Sequence, residues 1–401
     1  MLNLNIKREN NYFNRNAVFA IIAAVSLGVS AFLCGCSDKG IIGKTPELTQ
    51  TPGGQPSATP TPQASPMITA DPVIPENNPA VVYEKKVMEI NGRQNQVYIL
   101  TVDLTDSDVS VMPYLAFDRI FGFEYLQDMV GKTGASAAVN AGFFFEYGLP
   151  SGLYVKNGEI ISAGTGKFYS LVIEDGRSRF EIVKTGITLN VNNKKIIFES
   201  FNRPPGSSKK AIFSDAYGST DRLGYLRKIL RIENGIVTDY RTAEDAVEIP
   251  ENGFIVMLPF DYTFESNPEG SAASIDFTPA FTEDAMAYEC ASLLVQDGES
   301  LAGDTMPWVG NLNHHDPRTC VGIFEDGKLG FVVIDGRHED STGTTGRETA
   351  DIMIDLGFKD AVMLDGGGSS QMIYQGETVN NPSSGSGGRP IAGGFMIIID
   401  D

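Results

Sequence analysis

The sequence predicts an α+β fold: a large mixed β-sheet system with few helices and a strand-helix-strand unit near the C-terminus. Three observations predict it. Short apolar runs separated by turn residues recur from about residue 97 to residue 399. Helical periodicity is confined to two places, Phe123 to Val130 and Thr345 to Gly357. The second of these lies between two apolar runs, each of which ends in Asp-Gly.

The N-terminus reads as an address. Lys7, Arg8 and Arg15 precede an apolar run from Ala17 to Leu33, which ends in Leu33-Cys34-Gly35-Cys36. A basic stretch followed by a short apolar one marks a secretory signal. The Leu-x-Gly-Cys ending resembles a bacterial lipobox, whose last Cys is lipidated and becomes the new N-terminus, which makes residues 1–36 a signal peptide with lipobox and Cys36 the lipidation site. The competing reading is an uncleaved anchor, because the run approaches the roughly 17 residues that span a bilayer. Both readings place the body outside the cytoplasm, held at the cell membrane through its N-terminus. Residues 37–80 are rich in Thr, Pro, Gly, Ser and Gln. They bury too little apolar surface to offset ordering entropy and are expected to form a disordered tether. A folded domain is expected over 81–401.

Within that body, Val97 to Val102, Val109 to Met112 and Ala137 to Val139 read as strands, with the first helix before the third of them. Leu153 to Ile161 reads as a hairpin around Asn157-Gly158. Further strands are expected at Ser170 to Glu174, Phe180 to Val183, Lys195 to Phe198, Ala211 to Ser214, Ile229 to Glu233, Ile236 to Tyr240, Phe254 to Leu258 and Ser292 to Val295. Gln371 to Tyr374 and Phe395 to Ile399 complete the series, separated by a glycine-serine loop that ends at Arg389-Pro390 and is expected to be mobile.

The C-terminal unit carries the chemistry. Leu329 to Ile334 ends in Asp335-Gly336-Arg337, and Ala361 to Leu364 ends in Asp365-Gly366-Gly367-Gly368-Ser369-Ser370. Between them, Thr345 and Glu348 have capping-box spacing, and Gly357 sits where a left-handed cap belongs. A helical crossover makes its two strands parallel, so both Asp-Gly turns should reach one sheet edge. Asp-Gly alone is ordinary turn chemistry. A matched pair of such turns, followed by three glycines and two serines, points instead to a site for a sugar attached to a phosphate. Asn140, at the end of an earlier strand, offers an amide for sugar hydroxyls.

A formal net charge of -20 argues against nucleic acid or an anionic membrane surface as the main partner. With 3 His and no HExxH, paired-Cys or Walker pattern, no cofactor is called for, although a divalent metal stays open. Cys290 and Cys320 can form one disulfide in an exported protein or remain free thiols. A Cys320 nucleophile served by His314 or His315 is a sharper but weaker alternative to a buried strand cysteine.

The ordered segments AVNAGFF (138–144), FNRPP (201–205), LLVQDG (293–298), RTCVGI (318–323), DGR (335–337), LDGGGSS (364–370) and RPIAG (389–393), with the Ser341 to Ala350 stretch, resemble the phosphodiester glycosidase family. The resemblance extends from about Val81 to Asp401. It implies hydrolysis of a sugar-1-phosphodiester between the anomeric carbon and the phosphate oxygen, on an extracytoplasmic glycan or glycolipid-like substrate. Tyr288 to Ser292 and Cys320 depart from the family pattern, which bears on the sugar taken more than on the reaction.

Such a cleavage passes through an oxocarbenium-like state with an already good leaving group. The expected tasks are therefore to hold phosphate and to stabilise the anomeric carbon. Arg318, Arg337 and Arg389 suit the first task, because a guanidinium fork matches phosphate oxygens. Asp335 and Asp365 suit the second, as nucleophile or base. Thr319 and the donors of Gly366, Gly367, Gly368, Ser369 and Ser370 are expected to hold substrate oxygens. Glu348 is a further candidate acid, with its place in a capping box as the structural alternative. Two other functions fit the same residues: a metal-dependent phosphodiesterase, and a surface glycan-binding lipoprotein without turnover.

Overall fold

The run Phe331-Val332-Val333-Ile334 is apolar without alternation, as a strand must be when both of its faces are covered. In the computed structural model, which describes residues 78–206, 209–307 and 309–400, both faces are covered. The described residues lie within one compact unit, Ile68–Asp401. The expected signal peptide, Cys36 and the expected linker as far as residue 77 lie outside the described residues. Among the described residues, no helix is long and apolar enough to cross a membrane.

A seven-stranded sheet runs in the order Val81–Ile90, Arg93–Val102, Leu329–Ile334, Arg318–Phe324, Phe358–Met363, Leu293–Gln296 and Glu299–Ser300. A five-stranded sheet runs Glu377–Thr378, Met372–Tyr374, Ala137–Asn140, Gly393–Ile399 and Val109–Leu115. The two share a core in which Tyr98, Leu100, Phe331, Val333 and Val362 meet Val111, Val139, Met372 and Phe395. On the far side of the larger sheet, Val332, Ile334 and Met363 pack with Ala350, Ile352 and Met353 of the helix Gly346–Asp355. Ala138 and Met396, on the far side of the smaller sheet, pack with Leu126, Met129 and Val130 of the helix Leu126–Thr133. The order of layers is helix, sheet, sheet, helix. Each fully buried Phe or Leu here contributes about 1.5–3 kcal/mol of transfer free energy, so the interlayer core dominates stability.

Residues 154–289 add three antiparallel sheets around a second core that includes Leu153, Val172, Leu189, Ile212, Leu230 and Val256. The α+β class with few helices is as expected. Strands that pair within a named sheet are antiparallel throughout. The parallel relation enters through the crossover: Leu329–Ile334 and Phe358–Met363 run the same way, but Arg318–Phe324 lies between them, antiparallel to both.

Local chemistry matches the reading at several points. Asn157 and Gly158 turn their hairpin with φ of 50° and 74°, both left-handed as a tight two-residue hairpin requires. Thr345 and Glu348 form the capping box, and Gly357 takes φ 92° just beyond the helix. The first helix starts at Leu126, three residues later than its periodicity implies, because Glu124 is held in an extended bridge to Ile391. The strands Val81–Ile90, Gly186–Val191, Ala273–Thr278 and Met286–Glu289 were not anticipated. Val81–Ile90 carries Glu84, Lys85, Lys86 and Glu89 on a sheet edge, where charges are tolerated and the apolar signal is weak.

Candidate active site

The register fixes the geometry of the edge. Arg318 pairs with Ile334 on one side, and Cys320 pairs with Met363 on the other. Asp335 and Asp365, which follow those partners, therefore flank the start of the Arg318–Phe324 strand from either side. Their backbones stand about two strand spacings apart, roughly 10 Å. The three chain segments come too close for side chains at the turns. A Cβ at Gly336 would lie 2.6 Å from the Pro317 nitrogen, and the Gly367 N–H donates to the Pro317 carbonyl at 2.8 Å with φ 61°.

Asp335 is 2% exposed and fully engaged. Its Oδ2 accepts from the Tyr98 hydroxyl at 2.8 Å and from the Asn381 N–H at 3.0 Å, and its Oδ1 accepts from Asn380 Nδ2 at 2.9 Å. Burial pushes its pKa up, and those donors act against that rise. Its carboxylate pins Asn380 and Asn381, which open the glycine-serine loop. That loop lies on the glycine turn, where the Ser384 hydroxyl donates to the Gly368 carbonyl at 3.0 Å.

Asp365 is more open, with 18% of its side chain exposed. Burial raises its pKa, opposed by Ser369, the Arg389 charge and the Gly366 N–H. Arg389 donates through Nε and Nη2 to Ser369 Oγ at 3.1 and 2.5 Å, and its Nη2 lies 3.7 Å from Asp365 Oδ2. Arg337 is half exposed and donates to Asp316 Oδ1 at 3.1 and 2.9 Å, and its Nη2 would lie 3.5 Å from a Cβ at Gly367. Asp365, Arg389, Arg337 and the glycine turn thus come together at one accessible place.

Other candidates serve the framework. Asn140 is 1% exposed: its Oδ1 accepts from Thr319 Oγ1 at 2.9 Å and the Gln371 N–H at 3.1 Å, and its Nδ2 donates to the Asp365 carbonyl at 2.7 Å. Instead of offering an amide to a sugar, Asn140 joins the two sheets and fixes the main chain of Asp365, and Thr319 is held in the same bond. Arg318 is buried and donates to the Thr344 and His314 carbonyls at 2.8 and 2.7 Å, tying two loops to the strand. Desolvation lowers its pKa. Within the glycine turn, Ser369 and Ser370 N–H groups donate to the Gly366 and Gly367 carbonyls, both at 3.2 Å. With the Gly367 N–H also engaged, the turn sets the shape of the site more than it supplies donors.

Glu348 is the N3 residue of its capping box and also accepts from Asn91 Nδ2 at 2.9 Å and Arg93 Nη2 at 2.5 Å. These donors outweigh burial and lower its pKa to about 2, so it stays ionised and is no proton donor. His315 Nε2 lies 3.1 Å from the same carboxylate. Cys290 and Cys320 are free and buried, with no disulfide between them. Burial pushes each thiol up to about 12, so Cys320 is a strand residue of the core and not a nucleophile.

Residues 227–398 match the phosphodiester glycosidase family model. That stretch is similar to the family and makes up less than half of the chain. Asp335, Asp365, Arg318, Arg337 and Arg389 all fall within the matched stretch. Over 92 residues, 23% of this chain, the sequence is 36% identical to an uncharacterized SPbeta prophage-derived protein of Bacillus subtilis, and the match spans only 14% of that relative. The fold is similar to that of a hypothetical protein from Synechocystis, at TM-score 0.70 and 18% identity, covering 80% of this chain and 62% of the other. It is also similar to a putative exported protein from Burkholderia pseudomallei, at TM-score 0.61 and 22% identity, covering 76% and 74%.

Several residues around the candidate site were not anticipated from the sequence. Asp316 orients Arg337, and its position two residues before Arg318 in a polar loop was the available signal. Tyr98, Asn380, Asn381 and Gln371 hold Asp335, Asn140 and Arg389 from distant segments, and Gln371 Nε2 donates to the Arg389 carbonyl at 3.0 Å.

Proposed function

We propose that this protein hydrolyses a sugar-1-phosphodiester at the bond between the anomeric carbon and oxygen, with Asp365 as the reacting carboxylate. The observation that carries this reading is the grouping of a partly open, desolvated aspartate with Arg389 at 3.7 Å and Arg337 beside the adjoining glycine turn. In its ionised form Asp365 stabilises positive charge at the anomeric carbon, as nucleophile or as base for water. Arg389 and Arg337 neutralise the departing phosphate, whose charge makes protonation by a strong acid unnecessary. Asp335 supports the site by fixing the loop that ends at Arg389. Asn140 fixes the main chain of Asp365.

The substrate is proposed to be an extracytoplasmic glycan or glycolipid-like molecule, met by a chain anchored through Cys36. The basic and apolar N-terminal pattern and the net charge of -20 support that setting, because an acidic surface needs a local cationic site to draw an anionic substrate. The test is incubation of the chain with a panel of glycosyl phosphodiesters. Release of free reducing sugar by the wild type, lost in Asp365→Asn, supports the proposal. A sugar phosphate product made only with a divalent cation, or tight glycan binding without product, contradicts it.

A further inference from the structure

Away from the Asp365 edge, a cavity of about 750 Å³ opens among Phe121, Phe145, Tyr147, Tyr217, Arg203 and Arg222. Neither aspartate of the site lines it. Its walls combine two elements. Aromatic rings present flat apolar faces: Tyr147 is 71% exposed, and Phe121 meets Tyr217 edge to face at 5.0 Å. Guanidinium groups supply the second element. Arg222 lies 4.1 Å over the Phe121 ring and Arg203 lies 5.7 Å over the Phe145 ring.

The charge balance of this cavity is unusual for the chain. In a protein of net charge -20, neither Arg203 nor Arg222 forms an ion pair with a carboxylate among the described residues. Arg203 is largely desolvated, which lowers its pKa against the pull of the buried Glu289 carboxylate, and it donates to the Pro150 carbonyl at 2.9 Å. Both line the cavity beside the buried Tyr217, whose phenol feels their charges and the opposing one of Asp221. Glu146, on the rim, is exposed.

The cavity is continuous in chain with the reaction site. The Ala141 carbonyl accepts the Asp365 N–H at 3.2 Å, and the loop that begins there reaches the cavity at Phe145, Tyr147 and Leu149. That loop is held tightly: a Cβ at Gly148 would strike the Gly122 carbonyl oxygen at 2.1 Å.

We infer that this cavity is a second subsite, which binds an anionic saccharide of the substrate's glycan chain. The inference rests on the glycosidase reading and adds the substrate class: an oligosaccharide with charge on more than one residue. Ring faces stack on sugar C–H surfaces, while guanidinium forks pair with phosphate or carboxylate oxygens. The anion can be a recurring phosphodiester or a uronate, and the two are separated by experiment.

Binding is read by titration calorimetry of the full chain in detergent, with Asp365→Asn present in every sample, the wild-type cavity included, to keep the phosphodiester probe intact, so loss of hydrolysis and loss of this subsite are separate results. The probes are a phosphodiester-linked tetrasaccharide, a uronate tetrasaccharide and a neutral tetrasaccharide. Tyr147→Asn and Arg222→Asn are the variants, since φ of 61° and 57° at these positions suits Asn. At least one anionic probe is expected to bind the wild-type cavity about tenfold or more tightly than the neutral one, a factor worth ~1.4 kcal/mol. The tighter of the two anions identifies the charged group. Each variant is expected to weaken that binding about tenfold, and Arg222→Asn also removes most of the preference for charge. Equal binding of all three probes, no binding of any at millimolar concentration, or wild-type affinity in both variants overturns the inference.

Discussion

Arg389 and Asp365 face each other across the glycine turn, with Nη2 3.7 Å from Oδ2, while the same guanidinium holds Ser369. The arrangement opposes burial, which raises the Asp365 pKa, with a charge that lowers it. Arg389→Gln removes that charge, so the carboxyl pKa rises further. Because the proposed reaction needs the ionised form, the acid limb of the kcat/KM profile should move to higher pH. The loss in kcat/KM at neutral pH should be about tenfold or more, as charge-assisted contacts to phosphate also go. A profile whose acid limb stays in place would show that Asp365 does not titrate in the reaction.

Asp335 makes a different prediction. Replacing it with Asn puts an amide donor against the Tyr98 hydroxyl or the Asn380 amide, leaving buried donors without acceptors. Asp335→Asn should destabilise the fold by about 1–3 kcal/mol, seen as a fall of a few degrees in Tm. Hydrolysis should be reduced but not abolished if the carboxylate acts through the loop. Complete loss of turnover with an unchanged Tm would place Asp335 in the chemistry itself.

Glu348 ties the helix to the turn at Asn91 and Arg93, and its folded pKa of about 2 lies below the ordinary value of 4.5. For a carboxyl lowered on folding, the stabilisation is present above 4.5 and is lost as pH falls toward 2. Glu348→Gln should flatten the fall of stability across that window. Thr345→Ala removes the other half of the box and should cost about 1 kcal/mol at neutral pH. Urea unfolding at several pH values checks both.

Cys290 and Cys320 should not react with a thiol reagent in the folded protein, because each is buried with its pKa pushed up to about 12. Both should react on unfolding without prior reduction. Two thiols released only after reduction would mean that they are bonded to each other.

The Asp-Gly turns and the capping box were legible because each depends on residues within a few positions, and the parallel sense of the two strands because a single helix links them. What each polar side chain touches was not. Asn140 looks free at a strand end, yet its partners Thr319, Asp365 and Gln371 arrive from more than 170 residues away. Asp335 and Asp365 sit in near-identical local sequence. Only Tyr98, 237 positions distant, and the Asn380-Asn381 pair set one apart as a buried support. The strand between the two aspartates comes before both in the chain, so no local pattern could place it there.

The most direct test is product identification by phosphorus and proton NMR on a defined sugar-1-phosphodiester treated with the full chain and with Asp365→Asn. The account predicts free reducing sugar and a phosphomonoester from the wild type, with turnover reduced about 100-fold or more in the variant. Appearance of the sugar-1-phosphate and a free alcohol, or undiminished turnover by Asp365→Asn, would contradict it.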